Sequence, residues 1–238
     1  MRATERQRGA TLLILLAVVA LGAASLFIGA HAHDDRRQQQ ERRTLAAINE
    51  AREALLGFAV SHGRLPRPAT SALDGTENPQ PCSTEQSCTG FLPWTTLAIA
   101  RTDSWGKLLR YSVTPEYTNA PVLRVSAVGT KTVLTRDAAG AITYLAGNPS
   151  CAPGSSCLVA VVYSAGRDNF GTSALGIAQP NVSTTNIDEA ANDRAVRDFM
   201  SRAASDDPRA PGGEFDDLVG FIAPGQLYQQ MARAKALP

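Results

Sequence analysis

The sequence predicts an α+β fold: a long N-terminal transmembrane and amphipathic helix packed on an antiparallel sheet, with a C-terminal helical extension. Three observations predict it. Residues 10–30 run twenty-one positions without a charge. Residues 31–63 turn polar but keep a helical rhythm in their apolar positions. From residue 64 the texture changes to turn-rich segments separating short β-type runs. The expected organisation is a basic leader at 1–9, a transmembrane helix at 10–30, its amphipathic continuation at 31–63 and an extracytoplasmic globular α+β domain at 64–238.

The membrane expectation rests on length. Twenty-one apolar residues in a helix span roughly 30 Å, the thickness of a bilayer core. Arg2, Arg6 and Arg8, with Glu5 the only acid among them, orient the N-terminus to the cytoplasm. Ala30-His31-Ala32 offers a signal-peptidase site, so a removed signal peptide is the alternative. Beyond it, Leu45, Ile48, Leu55, Leu56 and Ala59 form one helical stripe. Glu41, Arg42, Arg43, Glu50 and Arg52 lie opposite. Gly63 supplies the stop, with Pro66 and Pro68 just beyond.

The four cysteines come as two near pairs, Cys82 with Cys88 and Cys151 with Cys157. An even count outside the cytoplasm reads as disulfides. Three connectivities are open, of which two small local rings are the simplest. A zinc site is the rival, but it wants C-x₂₋₄-C spacing. A net charge of +1 with 19% charged residues points to neither nucleic acid nor an acidic partner.

The globular part predicts strands at 108–113, 122–128 and 158–163, and a hairpin joining 132–135 to 141–145 through the Asp137-to-Gly140 turn. The run at 158–163 is the expected central strand. Asn186 or Thr185 caps a helix to about Ala203, with Glu189 in capping-box position and Ile187, Ala191, Val196, Phe199 and Met200 buried. A strand at 215–222 and a helix at 226–236 close the chain.

Several segments together carry a family resemblance. Arg8-Gly9-Ala10-Thr11-Leu12-Leu13 looks like a prepilin processing site, a basic leader ending in glycine followed at once by an apolar helix. Gly63-Arg64-Leu65-Pro66, Leu92-Pro93-Trp94 and Asp103-Ser104-Trp105-Gly106-Lys107 with Arg110-Tyr111 resemble the "YP" and "DPWG" elements of type II secretion pseudopilins. Ser164-Ala165-Gly166-Arg167-Asp168-Asn169 with Gly171-Thr172 resembles their "SAGPDG…GT" loop. The chain thus resembles the type IV pilin and pseudopilin family, in its larger, minor-subunit type.

The resemblance implies a structural role: chemistry is done to this chain. A prepilin peptidase would cut between Gly9 and Ala10 and methylate the new amine. Other pilin or pseudopilin subunits and the inner membrane would be its remaining partners. Family members place glutamate at the fifth mature position to neutralise a neighbour's amine; here Ile14 stands there. That absence fits a tip or initiating subunit of a type IV pilus or secretion filament. Major members also bind calcium after the "SAGPDG" element, which makes Asp168, Asn169, Asp188 and Glu189 the candidate Ca²⁺ ligands. Asp188 and Glu189 are equally explained as first-turn acids favoured by the helix dipole.

No catalytic motif appears, so no enzymatic activity is expected. Asp206-Asp207 and Asp216-Asp217 read as solvated acids, and Trp94 and Trp105 as core aromatics. The alternative to an assembly subunit is a membrane-anchored or released periplasmic binding module that does not polymerise.

Overall fold

A computed structural model describes the backbone of residues 5–122, 124 and 126–237, and the side chains of residues 12–21, 35–122, 124 and 126–237. The chain divides into two compact units, Met1–Arg42 and Arg43–Pro238, each considered by itself.

The first element, α1, runs Glu5–His62. It stops where Gly63 takes φ +68° and donates its amide to the Ala59 carbonyl (2.9 Å). Within the second unit, Ile48, Ala51, Leu55, Leu56 and Ala59 enter the main core beside Tyr111, Val113, Val162 and Ile222. Leu45, expected on that stripe, is exposed instead; Thr44 takes the buried position and bonds Ser104 Oγ (2.9 Å). The close approach of helix and strand is set by Gly220, where a Cβ would lie 2.4 Å from Ile48 Cγ2.

The remaining elements are β1 (Thr89–Phe91), α2 (Trp94–Leu97), β2 (Arg110–Val113), a 3₁₀ helix (Pro115–Thr118), β3 (Thr132–Arg136), β4 (Ile142–Ala146), β5 (Ala160–Ser164), α3 (Ile187–Arg194), β6 (Asp198–Met200), β7 (Leu218–Ile222) and α4 (Pro224–Arg233). One sheet has the order β1-β2-β5-β7 and is antiparallel throughout. Its β5 is buried at every position, which explains why an unbroken apolar run marks it as central.

The architecture departs from the expected one in three ways. The transmembrane helix is not found: among the described residues, no helix is long and apolar enough to cross a membrane. The described side chains of the uncharged stretch cover only residues 12–21, and ten helical residues reach about 15 Å, half a bilayer core. Nor is there a single antiparallel sheet. A second sheet has the order β4-β3-β6, and β6 pairs β3 in parallel.

That parallel strand is the third departure, because residues 198–200 were expected inside a helix. The helix ends at Arg194, and Ile187 and Ala191 face solvent. Its buried face is polar instead: Asp188, Glu189 and Asn192. Asn192 Oδ1 accepts from the Met200 amide (2.6 Å) while its Nδ2 donates to the Met200 carbonyl (2.9 Å). One amide side chain thus closes the end of β6 as a neighbouring strand would. Phe199 and Met200 are buried as predicted, but on a strand. The expected strand at 122–128 is absent among its described residues.

Candidate functional site

Two segments far apart in sequence meet at one place. The turn from Asp103 to Lys107 closes on itself, with Asp103 N donating to Lys107 O (2.8 Å) and Gly106 at φ +80°. Asp103 Oδ1 accepts the amides of Trp105 and Lys107, both at 2.9 Å. Its other oxygen accepts from Ser164 Oγ (2.6 Å), and Ser164 Oγ in turn accepts the Gly166 amide (3.1 Å). Burial pushes the Asp103 carboxyl up, against the pull of Ser164, the two amides and Lys107.

The loop at 165–169 is clamped by opposite charges. Asp216 Oδ2 accepts the amides of Arg167 (3.0 Å) and Asp168 (3.1 Å). The Lys107 ammonium donates to the carbonyls of Ala165 (3.0 Å), Asn169 (2.9 Å) and Asp168. Gly166 sits at φ +56°, where a Cβ would stand 1.9 Å from Asp216 Oδ1. Only glycine lets the loop lie this close to the carboxylate.

Behind the loop is an acidic group. Carboxylate oxygens of Glu189, Asp216 and Asp217 lie within 4.8 Å of one another. Glu189 Oε1 accepts the Asp216 amide (2.9 Å), and Oε2 accepts from Asn186 (2.8 Å) and Asn169 (3.3 Å). Asp217 Oδ2 accepts from Asn192 (2.7 Å). Burial, with Glu189 close by, pushes the Asp216 carboxyl up to about 6. Burial lifts Asp217 well above the usual carboxylate range. The Lys107 ammonium is drawn down by burial and pulled back up by Asp216, Asp103, Asp217 and Asp168.

The four candidate calcium ligands do not converge. Asn169 and Glu189 meet, but the Asn169 Oδ1 is taken by the Val182 amide (3.1 Å). Asp168 turns its carboxylate outward to Arg167 (2.7 Å). Asp188 is taken up elsewhere, held between Arg136 Nη2 (2.7 Å) and Arg202 Nε (2.7 Å). Burial opposes ionisation of Asp188, but the two guanidinium groups outweigh it and hold the carboxyl below the usual range. The loop carbonyls that a metal would use are already bonded to the Lys107 ammonium. The donor set therefore does not fit a calcium ion.

Asn186 does not cap α3 with its side chain; the amide bonds the Glu189 side chain instead. The surroundings of Gly9 and Ala10 lie outside what is described. Ile14 is exposed, in a run of exposed apolar side chains from Leu12 to Leu21. The cysteines form two local disulfides, Cys82–Cys88 and Cys151–Cys157, which fit an oxidising extracellular or periplasmic compartment.

Sequence reasoning placed Asp216 and Asp217 on the surface and gave Lys107 no role. Beside the loop opens a cavity of about 540 Å³, lined among others by Arg167, Asp168, Glu189, Glu214 and Asp216. Comparison of the chain with protein-family models, with curated proteins and with solved structures finds no match.

Proposed function

We propose that this chain is a minor pilin-like or pseudopilin-like assembly subunit of a type IV pilus or type II secretion filament. Its role is that of a tip or initiating subunit. The observation that carries this is the meeting of the Asp103-to-Lys107 turn with the Ser164-to-Asn169 loop through Asp103, Ser164 and Lys107. These are the segments on which the family resemblance stands, and here they build one structural unit. A second support is the run of exposed apolar side chains on α1, Leu12, Leu13, Ile14, Leu15, Leu16, Val18, Val19 and Leu21. Apolar surface this continuous is covered by something in the working protein, and neighbouring subunits' helices suit it.

In this account the globular unit stands on the outer face of the cytoplasmic membrane, to which the chain stays attached. Prepilin peptidase cleaves after Gly9. Ile14 leaves no carboxylate to receive another subunit's amine, so the chain starts or caps an assembly. No catalysis is assigned to it.

Changing Gly9 to leucine in the native host tests this. The expected result is an uncleaved chain and loss of pilus or secretion function. Normal processing and function in that variant would reject the assembly role. A second reading, a binding module that does not polymerise, is favoured by the acidic cavity beside the loop. It predicts a wild-type phenotype for the Gly9 variant and loss of function on changing Glu214 and Asp216 together.

A further inference from the structure

Three carbonyl oxygens of the loop at 165–169 converge on one point, and that point is the Nζ of Lys107. Lys107 is 5% exposed. An ammonium has three N–H groups, and here all three are given to carbonyls, none to a carboxylate. Its charge is balanced through space by Asp216, Asp103, Asp217 and Asp168. A cage of backbone carbonyls with carboxylates around it is the environment that hard divalent cations select.

The position of the ammonium is built in. The Lys107 amide is fixed by Asp103 Oδ1, and the side chain passes over Gly171, where a Cβ would lie 2.9 Å from Lys107 Cδ. Asp216 meanwhile takes the loop's amides from the other side, its Oδ1 packed against Gly166. The amides of Arg167 and Asp168 thus go to an anion and the carbonyls of Ala165, Asp168 and Asn169 to a cation, both supplied by the chain itself, while Asp216 Oδ1 is buried without a hydrogen-bond partner.

We propose that Lys107 is an internal cation standing where a divalent metal would otherwise organise this loop. The loop is therefore ordered without calcium. Removing the lysine charge and stem uncovers an oxygen-lined site of Ca²⁺ type, made of the converging carbonyls of Ala165, Asp168 and Asn169 within the field of Asp216, Asp103, Asp217 and Asp168.

The test is thermal unfolding of the full-length chain in mild detergent, with excess EDTA and with millimolar CaCl₂, together with calorimetric titration of calcium. Wild type is expected to give midpoints within about 1 °C of each other and no binding heat. Lys107→Met, which keeps the stem and loses the charge, is expected to fall by about 5 °C or more in EDTA. Lys107→Ala is expected to recover at least half its loss in CaCl₂, because a ligand that binds only the folded state raises its midpoint. A wild-type midpoint that climbs several degrees with calcium overturns the proposal, as does calcium binding heat in wild type. An undiminished Lys107→Met midpoint in EDTA, or a Lys107→Ala variant blind to calcium, overturns it too. Should neither variant fold, the wild-type pair of midpoints and its titration decide the matter alone.

Discussion

Lys107 and Asp216 hold opposite sides of one turn: the ammonium takes the carbonyls of Ala165, Asp168 and Asn169, and the carboxylate takes the amides of Arg167 and Asp168. The two residues lie more than a hundred positions apart in sequence, so the turn forms only when β5 and the approach to β7 are in place. A local loop thereby reports on the folding of the whole sheet.

The acid side of this clamp gives a pH dependence with a definite sign. The Asp216 carboxyl stands at about 6 in the fold against an ordinary 3.8. The folded state then holds a proton that the unfolded state has lost. Stability from this group is fully present below about pH 4 and is lost as the pH rises through about 6. Asp216→Asn keeps an oxygen acceptor for the two amides and cannot ionise. Unfolding free energies from denaturant titration between pH 4.5 and 7 are expected to fall for wild type relative to the variant, by roughly 2 kcal/mol. Parallel profiles for the two proteins would contradict the assignment.

Asp188 behaves in the opposite way. It is 3% exposed and paired with both Arg136 and Arg202, so its neutral replacement leaves two guanidinium groups facing no anion. Asp188→Asn is expected to lose about 3 kcal/mol at pH 7. Its carboxyl is held below the ordinary 3.8, so its contribution is present above that pH and disappears as the pH drops further. The neighbouring pair of Arg167 and Asp168 is largely exposed. Asp168→Asn is accordingly expected to shift stability by less than about 0.5 kcal/mol in the same urea titration.

Gly220 checks the helix–strand contact inside the second unit. A valine there would place its Cβ 2.4 Å from Ile48 Cγ2 and 3.2 Å from Arg52 Cδ. Gly220→Val is expected to destabilise by about 2–3 kcal/mol. Adding Ile48→Ala makes room, so the double variant is expected to be more stable than the sum of the two single losses implies. Strict additivity in equilibrium unfolding would show that α1 does not press on β7 at this point.

The disulfides differ in surroundings despite the same spacing. Cys82 and Cys88 both belong to the main core, whereas of the other pair only Cys157 is buried and Cys151 is partly exposed. Opening either ring costs about 2 kcal/mol in the chain-entropy account. Replacing Cys82 and Cys88 by serine also buries two hydroxyls in apolar surroundings, which adds about 1–3 kcal/mol. The Cys82/Cys88 double serine is therefore expected to melt below the Cys151/Cys157 one.

Elements whose burial follows an apolar period could be found in the sequence. The fully buried β5 is of this kind, whereas the stop of α1 at Gly63 and the hairpin of β3 and β4 around Asp137 and Gly140 were legible from their turn residues. The end of α3 was hidden because its buried face is built of Asp188, Glu189 and Asn192. A pattern search follows apolar residues and cannot see a face held by charge pairs and an amide bridge. The same limit applied to the candidate site. Asp168 and Glu189 lie at its edge, but its centre is Lys107, a long cation that sequence reasoning places on a surface. Its burial depends on three carbonyls brought to one point by a loop at 165–169, and no spacing of residue types encodes that convergence.

The assembly role stands or falls on the mature N-terminus, measured by intact mass or terminal sequencing of the native protein from the membrane fraction of its own host. A chain that begins at Ala10 and carries one additional methyl group is the result expected of a pilin-like subunit. A chain that begins at Met1, or one that begins at His33 after removal of a signal peptide, would contradict it.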